Sequence, residues 1–380
     1  MKIISVAFFV LFTTYLSFGQ LLPHKQAYPL NVKQLHSGHS LTDPLFSDGH
    51  LRHLVGNILG GPVANIGKST IPGSSMKHRW ENQPLWGEPS ARHAIANWEL
   101  LSITEGVPLS YEGGSTTRSY LDRIQEQKQY LSLFVNNAWN NGNNRNGAPT
   151  LLWTTWTGID KINSNGPWRQ MLDLQGAEWE RMQDYANANK PTAATPVFII
   201  PGHKMMARLY DDIQLGKVPG ITNINQFFLD AIHTNSLGNY AITMIHYACI
   251  YNKSPVGLTN NLFASSNTSP IPSIALATYL QTMIWEVVTS YPRTGISNNP
   301  ILSVLPEGST KENFIIYPNP VNNIVHLDKN IIDKNTQIRI YDTLGKLMYS
   351  GNELSIDVSQ FPSGLYLLKY KTVIVKIVKQ

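Results

Sequence analysis

Apolar and polar positions in residues 20–290 form two kinds of segment. Short, mostly apolar runs occupy 98–104, 151–157 and 196–201, and prolines bound the last run, as is typical of a strand buried on both faces. Longer helical patterns separate or follow these runs, at 116–139, 166–189, 235–251 and 274–289. This alternation predicts a three-layer α/β fold around a parallel sheet.

The pattern changes after residue 290. Residues 291–313 are rich in Pro, Ser, Asn and Gly, which predicts a linker. Short strand-like stretches separated by turn residues follow, at 314–317, 324–327, 338–341, 346–349, 365–370 and 373–378. We therefore predict a small C-terminal β-sandwich over residues 314–380.

Residues 1–19 have the pattern of a secretory signal peptide. A lone positive charge at Lys2 precedes an apolar, uncharged run at 3–16, and small residues lead to a cleavage point after Gly19. The run is shorter than the roughly 20 residues that span a bilayer. We expect residues 20–290 to form the domain that carries the function, with no membrane span after removal of the signal.

Composition and charge exclude several classes of protein. Charged residues make up only 14% of the chain, against about 25% in an average soluble protein. The net charge of +5 comes from 30 Lys and Arg against 25 Asp and Glu, and these residues form no basic run that would follow a nucleic acid backbone. The single cysteine, Cys249, excludes an internal disulfide framework and any CxxC site.

Two motifs lie where loops are expected to follow the strands. Ligands of open α/β sheets bind at the carboxyl ends of the strands. The first motif places Ser40 in a tight turn, Gly38-His39-Ser40-Leu41, after the first predicted strand. The second places Asp230 three residues before His233. A carboxylate at that spacing can fix the imidazole tautomer, so that the other ring nitrogen faces a nucleophile.

Together, these two motifs resemble the GDSL/SGNH hydrolases over about residues 35–258. The resemblance implies a serine esterase with a flavodoxin-like α/β fold that needs no metal or other cofactor. Ser40 would be the nucleophile, His233 the general base and Asp230 the residue that orients it. The segment at 71–74 resembles the block that supplies an oxyanion-hole glycine, so the N–H groups of Gly73 and Ser40 would bind the oxyanion.

The chain departs from the family after the third predicted strand. Family members usually have Gly-x-Asn-Asp there, and the Asn donates to the oxyanion, whereas this chain has Thr104-Glu105-Gly106. Thr104 is then the nearest substitute donor, unless Glu105 has another task such as binding substrate. His39 occupies the place of the usual Asp. These departures indicate a divergent member of the family.

Two further residues are candidates for binding a carbohydrate substrate. Trp156 follows the fourth predicted strand and could stack on a sugar ring at the rim of the site, and Arg118 could bind an acidic sugar. A metal site is the alternative use of the early histidines at positions 36, 39, 50 and 53 with Asp43. It is less favoured because the histidine spacing lacks a fitting carboxylate partner.

The C-terminal residues carry a second resemblance. The segments 317–321 (YPNPV), 340–345 (IYDTLG) and 363–366 (SGLY) follow one another within residues 314–380. In that order they resemble the sorting domain of cargo for the Bacteroidetes type IX secretion system. The resemblance implies export through the periplasm by that machinery, followed by release or attachment to the cell surface.

The sequence therefore predicts a secreted serine ester hydrolase that removes acetyl or similar acyl groups from carbohydrate. A weakly active or non-catalytic glycan-binding protein of the same fold is the alternative, because the usual oxyanion Asn is replaced. A metal-dependent hydrolase built on the early histidines is a third hypothesis.

Overall fold

The structure, a computed structural model, describes residues 22–46, 50–61, 65–84, 87–159, 167–262, 270–297, 316–327, 337–342, 346–370 and 373–380. The predicted signal peptide at 1–19 and most of the predicted linker lie outside these residues. The chain divides into two compact units, Met1–Asn298 and Asn299–Gln380.

The first unit contains a sheet of five parallel strands in the order β2-β1-β3-β4-β5. Three of them, β3 to β5, coincide with the apolar runs that predicted strands. Nearly every strand residue is buried, because helices cover both faces of the sheet. The strands are β1 Gln34–Gly38, β2 Ile66–Thr70, β3 Leu100–Ile103, β4 Thr150–Thr154 and β5 Phe198–Pro201.

Four of the helices were predicted from the sequence pattern, and they are α3, α4, α6 and α7. The pattern did not predict α1, α2 and α5. None of the helices among the described residues is long and apolar enough to cross a membrane. The helices are α1 His50–Leu59, α2 Met76–Glu81, α3 Arg118–Arg145, α4 Trp168–Asn189, α5 Gly202–Gln214, α6 Ser236–Tyr251 and α7 Ile274–Ser290.

The first unit has a separate apolar core on each face of its sheet. Consecutive strand residues enter opposite cores, as Leu151 and Leu152 do on β4. One core packs against α1, α5, α6 and α7, the other packs against α2 and α3, and α4 contributes residues to both. The unit is therefore the predicted three-layer α/β arrangement around a parallel sheet.

The order of the strands decides which loops meet. Strand β1 lies between β2 and β3, so the chain crosses over β1 when it passes from β2 to β3. Because all three strands are parallel, the loops that follow them emerge at one edge of the sheet. Such crossover points are where open α/β sheets bind ligands.

The second unit consists of short strands in two antiparallel sheets, β10-β7-β6 and β12-β11-β8-β9. Residues from both sheets, such as Val325 and Leu368, form one apolar core. This agrees with the predicted small sandwich, except that β10 was not predicted. Its strands are β6 Ile316–Tyr317, β7 Ile324–Leu327, β8 Ile338–Asp342, β9 Leu347–Gly351, β10 Ser355–Asp357, β11 Gly364–Tyr370 and β12 Val373–Lys379.

Candidate active site

Ser40 lies in a tight turn immediately after β1. The turn is closed by a hydrogen bond from the Thr42 N–H to the His39 carbonyl, 2.8 Å long. A side chain at Gly38 would place its Cβ only 2.0 Å from Thr42 Oγ1, so the close return of the chain requires glycine there. The turn leaves Ser40 partly exposed at the carboxyl edge of the sheet.

Asp230 and His233 lie in a second turn, just before α6. The Asp230 Oδ1 atom accepts the N–H groups of Ile232 and His233, at 2.8 and 2.7 Å. The Leu229 N–H donates to the His233 carbonyl at 2.8 Å and closes the turn. The Asp230 carboxylate is therefore oriented by backbone groups within three residues of it.

The two turns meet in one chain of hydrogen bonds. Asp230 Oδ2 is 2.7 Å from His233 Nδ1, and His233 Nε2 is 2.9 Å from Ser40 Oγ. When the carboxylate accepts the Nδ1–H, the Nε2 atom is free to accept the proton of the serine hydroxyl. This geometry joins residues 193 positions apart, and it is an arrangement that can activate a hydroxyl for nucleophilic attack.

The Asp230 carboxylate favours its charged form. The N–H groups of His233 and Ile232, followed by the His233 imidazole, lower the pKa of Asp230 to about 2. The side chains of His233 and Asp230 are 41% and 57% exposed. The orienting carboxylate is thus ionised at neutral pH, and the pair lies at the surface of the unit.

Gly73 occupies a turn that follows β2. The Ser74 N–H donates to the Ile71 carbonyl at 3.2 Å, and Gly73 has a φ of +65°, which a type II turn requires at this position. The Ile71 N–H donates to the Gly38 carbonyl, so this turn adjoins the end of β1. Among the described residues, no hydrogen bond occupies the N–H of Gly73 or that of Ser40. Both are backbone donors in loops at the carboxyl edge of the sheet.

Thr104 does not have the position expected of a substitute oxyanion donor. Its side chain is fully buried, and its methyl group lies against Gly38. Its hydroxyl points to the Glu105 carbonyl at 3.4 Å, while its N–H donates to the Ser37 carbonyl. The hydroxyl is therefore engaged inside the protein, which corrects the expectation from sequence.

Glu105 does not line a substrate surface, because it is only 3% exposed. Its Oε1 accepts the N–H groups of Met76 at 2.8 Å and Gly106 at 2.6 Å. Burial raises the pKa of Glu105 to about 7, and the nearby Arg79 opposes the shift. The first N–H groups of a helix need acceptors, and the carboxylate supplies one to α2. The expected role in binding substrate is wrong.

Trp156 is a core residue and does not lie on the rim of the site. It is 1% exposed and packs edge-on against Trp153 and Phe228. Its Nε1–H donates to the Ile232 carbonyl at 3.0 Å. The ring cannot stack on a sugar, which corrects the expected substrate contact. It supports the turn that carries His233 instead.

Arg118 is not joined to these residues. It begins α3, its side chain is 94% exposed, and its guanidinium lies 3.8 Å from Asp122. Within the described ranges, no hydrogen bond connects it to Ser40 or His233. The structure does not bring it into the candidate site.

His36, His39 and His50 each have a partner within the protein. His36 Nε2 lies 2.9 Å from Gln34 Oε1, and His50 Nδ1 lies 2.9 Å from the Pro44 carbonyl. His39 Nε2 lies 3.0 Å from the Glu105 carbonyl. The part of the chain that the structure describes contains no group of three or more His, Cys, Asp or Glu residues arranged to hold a metal ion.

Sequence reasoning missed Arg79, which is 4% exposed. Its guanidinium donates to the carbonyl and the Oγ of Ser74, at 2.7 and 2.8 Å, and to the carbonyl of Thr104. A lone arginine in a short polar helix carries no sequence signal for such a position. Its contacts connect the loops that follow β2 and β3.

A comparison with known families identifies the second unit. Residues 315–380 match the family model described as the secretion system C-terminal sorting domain. This confirms the predicted sorting domain. The chain is exported by the type IX system to the cell surface or the medium, and the match implies interaction with that secretion machinery.

Comparisons of the whole chain are much weaker, and no curated protein matches it. A gut microbial diltiazem-metabolizing enzyme is 10% identical over 89% of this chain and 74% of its own, with a TM-score of 0.43. The phospholipase A1 of Streptomyces albidoflavus NA297 is 10% identical over 55% and 94%, with a TM-score of 0.30. The extracellular lipase of Streptomyces rimosus is 12% identical over 41% and 72%, with a TM-score of 0.22. At these TM-scores the likenesses assign neither a fold nor an activity.

Proposed function

We propose that this exported protein is a serine ester hydrolase, with Ser40 as nucleophile, His233 as general base and Asp230 as the residue that orients it. One observation carries the proposal, the unbroken hydrogen-bond chain from Asp230 through His233 to Ser40, with contacts of 2.7 and 2.9 Å. No metal or other cofactor is needed for this chemistry.

The proposed reaction has two halves. His233 Nε2 takes the hydroxyl proton as Ser40 Oγ attacks the ester carbonyl, and the N–H groups of Ser40 and Gly73 bind the resulting oxyanion. His233 then gives the proton to the leaving alcohol, and the acyl group remains on Ser40. A water molecule, deprotonated by His233, hydrolyses the acyl-enzyme and restores the site.

We further propose that the first unit is a divergent SGNH hydrolase domain, followed by a linker and the sorting domain at 314–380. The linker was predicted to begin at residue 291, but Arg293 pairs with Glu180 and Ile296 lies in the apolar core of the first unit, so we propose that the domain extends to residue 297 and that the linker is 298–313. The strand order β2-β1-β3-β4-β5 is that of flavodoxin-like doubly wound sheets. The order Ser40, Asp230, His233 along the chain also supports this family. The divergence lies in the loop after β3, where Thr104 and Glu105 replace the usual motif.

The proposed substrate is an acetyl or similar short acyl ester of a carbohydrate. The half-exposed His233 and Asp230 side chains support this choice, because a site at the surface can accept an ester on a bulky polymer. Export to the cell surface or medium brings the site to such polymers.

Hydrolysis of p-nitrophenyl acetate by the full chain tests the reaction. Ser40→Ala is expected to lower kcat by about 10⁴-fold or more, with EDTA without effect. Ser254→Ala, at an exposed serine, is the matched control and should keep full activity. Equal rates for wild type and Ser40→Ala would exclude the proposed nucleophile.

A second set of substrates tests the acyl group and the carrier. Acetate release from acetylated xylan is expected, together with a preference for acetyl over octanoyl among p-nitrophenyl esters. Binding to acetylated xylan without Ser40-dependent release would favour the glycan-binding alternative.

A further inference from the structure

A buried polar network joins three loops at the carboxyl edge of the sheet. Its members are Arg79, Glu105, His39, Ser74 and Thr104, and all five are at most 5% exposed. The loops follow β1, β2 and β3, so they include the turn of Ser40 and the turn of Gly73. Two of the members, Arg79 and Glu105, can carry opposite charges.

Arg79 connects the loops that follow β2 and β3. One of its terminal nitrogens donates to the Ser74 carbonyl at 2.7 Å and to Ser74 Oγ at 2.8 Å. The other terminal nitrogen donates to the Thr104 carbonyl. Since Ser74 directly follows Gly73, the planar guanidinium fixes the Gly73 turn relative to the end of β3.

Glu105 and His39 complete the connection to the loop that follows β1. The Glu105 carboxylate accepts the Met76 N–H, which lies two residues beyond Ser74. The Glu105 carbonyl lies 3.0 Å from His39 Nε2, and His39 Nδ1 accepts the Leu41 N–H at 3.3 Å. These atoms require a neutral His39 that donates from Nε2, and burial accordingly lowers the pKa of His39 to about 3. Ser40 is thereby flanked by His39 and Leu41, which are both tied to the network.

Burying these polar and charged side chains costs free energy of folding, so the network must offer some other advantage. Burial lowers the pKa of Arg79 to about 10 and raises that of Glu105 to about 7, so both charged forms lose hydration. Buried charge pairs are often no more stabilising than well-packed apolar residues. What apolar residues cannot supply is a set of directed hydrogen bonds from a single side chain to two loops.

We propose that Arg79 and Glu105 are positioning residues, which hold the Gly73 N–H and the Ser40 turn at a fixed separation where the usual side-chain oxyanion donor is missing. The proposal rests on the proposed ester hydrolase function. Neither side chain touches the substrate. Two preaimed backbone donors then perform the task that three donors usually share, and a displacement of about 1 Å is enough to cost about 10²-fold in rate.

The test measures kcat, KM and Tm for variants of the full chain with p-nitrophenyl acetate. Arg79→Lys keeps the charge but cannot reach the acceptors on both loops, and Glu105→Ala removes the acceptor of the Met76 N–H. Both are expected to lower kcat by about 10²-fold, with KM changed less than threefold. Glu105→Gln keeps an oxygen acceptor and should retain kcat within threefold.

A buried ion pair between two helices of the same unit provides the matched control. Lys128 Nζ lies 3.3 Å from Glu178 Oε1 between α3 and α4, with side chains 9% and 0% exposed. Lys128→Met is expected to lower Tm while leaving kcat unchanged. Ser74→Ala removes one acceptor of Arg79 and also the hydrogen bond that the Ser74 hydroxyl donates to the Ile71 carbonyl at 2.6 Å, and it should lower kcat about tenfold.

The outcomes separate this proposal from the proposed function. Suppose that wild type is active and Ser40→Ala is not. If folded Arg79→Lys and Ser74→Ala then keep full kcat, the positioning role of the network is wrong, whereas the proposed ester hydrolase function is retained. The positioning role would also be wrong if Lys128→Met and Arg79→Lys lowered Tm equally and lost the same fraction of kcat. Absence of any Ser40-dependent activity in wild type would instead remove the hydrolase function itself.

Discussion

The candidate site has two sides that are built in opposite ways. On one side, Asp230 and His233 are three residues apart, half-exposed, and oriented by backbone groups of their own turn. On the other side, Arg79 and Glu105 are almost fully buried and act across loops from different strands. The first side is a local motif, whereas the second exists only after the sheet has formed.

This difference predicts that substitutions on the two sides will have different effects on the reaction rate and on the stability of the fold. Removing a half-exposed side chain from the Asp230–His233 turn leaves no buried group without a partner, so the rate should change far more than the stability. Removing a member of the buried network leaves unpaired polar groups in the interior, so rate and stability should change together. The following predictions measure how far the two sides differ.

The largest effect is expected from His233→Ala. Without the imidazole, nothing accepts the Ser40 proton, and kcat for p-nitrophenyl acetate should fall by about 10⁴–10⁶-fold. Because His233 is 41% exposed, Tm should fall by only a few degrees. Retention of more than a tenth of the wild-type kcat would show that another group is the base.

Asp230→Asn should have the next largest effect. The amide oxygen can still accept the Ile232 and His233 N–H groups, but the amide NH₂ cannot accept the Nδ1–H of the imidazole. We expect kcat to fall by up to about 10⁴-fold while Tm stays close to wild type. A fall below tenfold would mean that the carboxylate does not orient His233 in the reaction.

Trp156→Phe tests the buried support of the exposed turn. The substitution removes the donor to the Ile232 carbonyl and should cost about 1–3 kcal/mol of unfolding free energy, with a tenfold loss of kcat from displacement of His233. Trp179→Phe is the matched control, since the Trp179 Nε1 is buried and has no hydrogen-bond partner among the described residues. Equal kcat in both variants would contradict the role of Trp156 in holding the turn that carries His233.

The smallest effect concerns Glu105 and pH. Its pKa is raised from 4.5 to about 7, so the folded state holds a proton that the unfolded state has released between these values. That contribution to stability is complete below about pH 4.5 and is lost as the pH rises through 7. The Tm of Glu105→Gln minus that of wild type should therefore increase between pH 4.5 and 7.5. A difference independent of pH would contradict the raised pKa.

The sequence pattern predicts some strands and helices of the first unit and misses others. The apolar strands β3, β4 and β5 were predicted because burial on both faces produces unbroken apolar runs. Strand β2 was not, because its residues IGKST include a glycine, a lysine and two hydroxyl side chains. Helix α2 has only six residues, too few to show a periodicity.

The same reasoning explains the site. Asp230 and His233 form a motif because their partners lie within three residues, and Ser40 was recognised from its turn. Glu105 was misassigned because its partner Met76 belongs to the helix that the pattern did not predict. Trp156 was misassigned because its place after a strand does not reveal which way the ring points.

Covalent labelling of the full chain with a fluorophosphonate, followed by peptide mass spectrometry, tests the central claim most directly. The reagent phosphonylates a serine only when a neighbouring base activates it. We predict one adduct, on the peptide that contains Ser40, and its absence in His233→Ala. An unlabelled Ser40 in wild type, together with ester hydrolysis that persists in Ser40→Ala, would contradict the account.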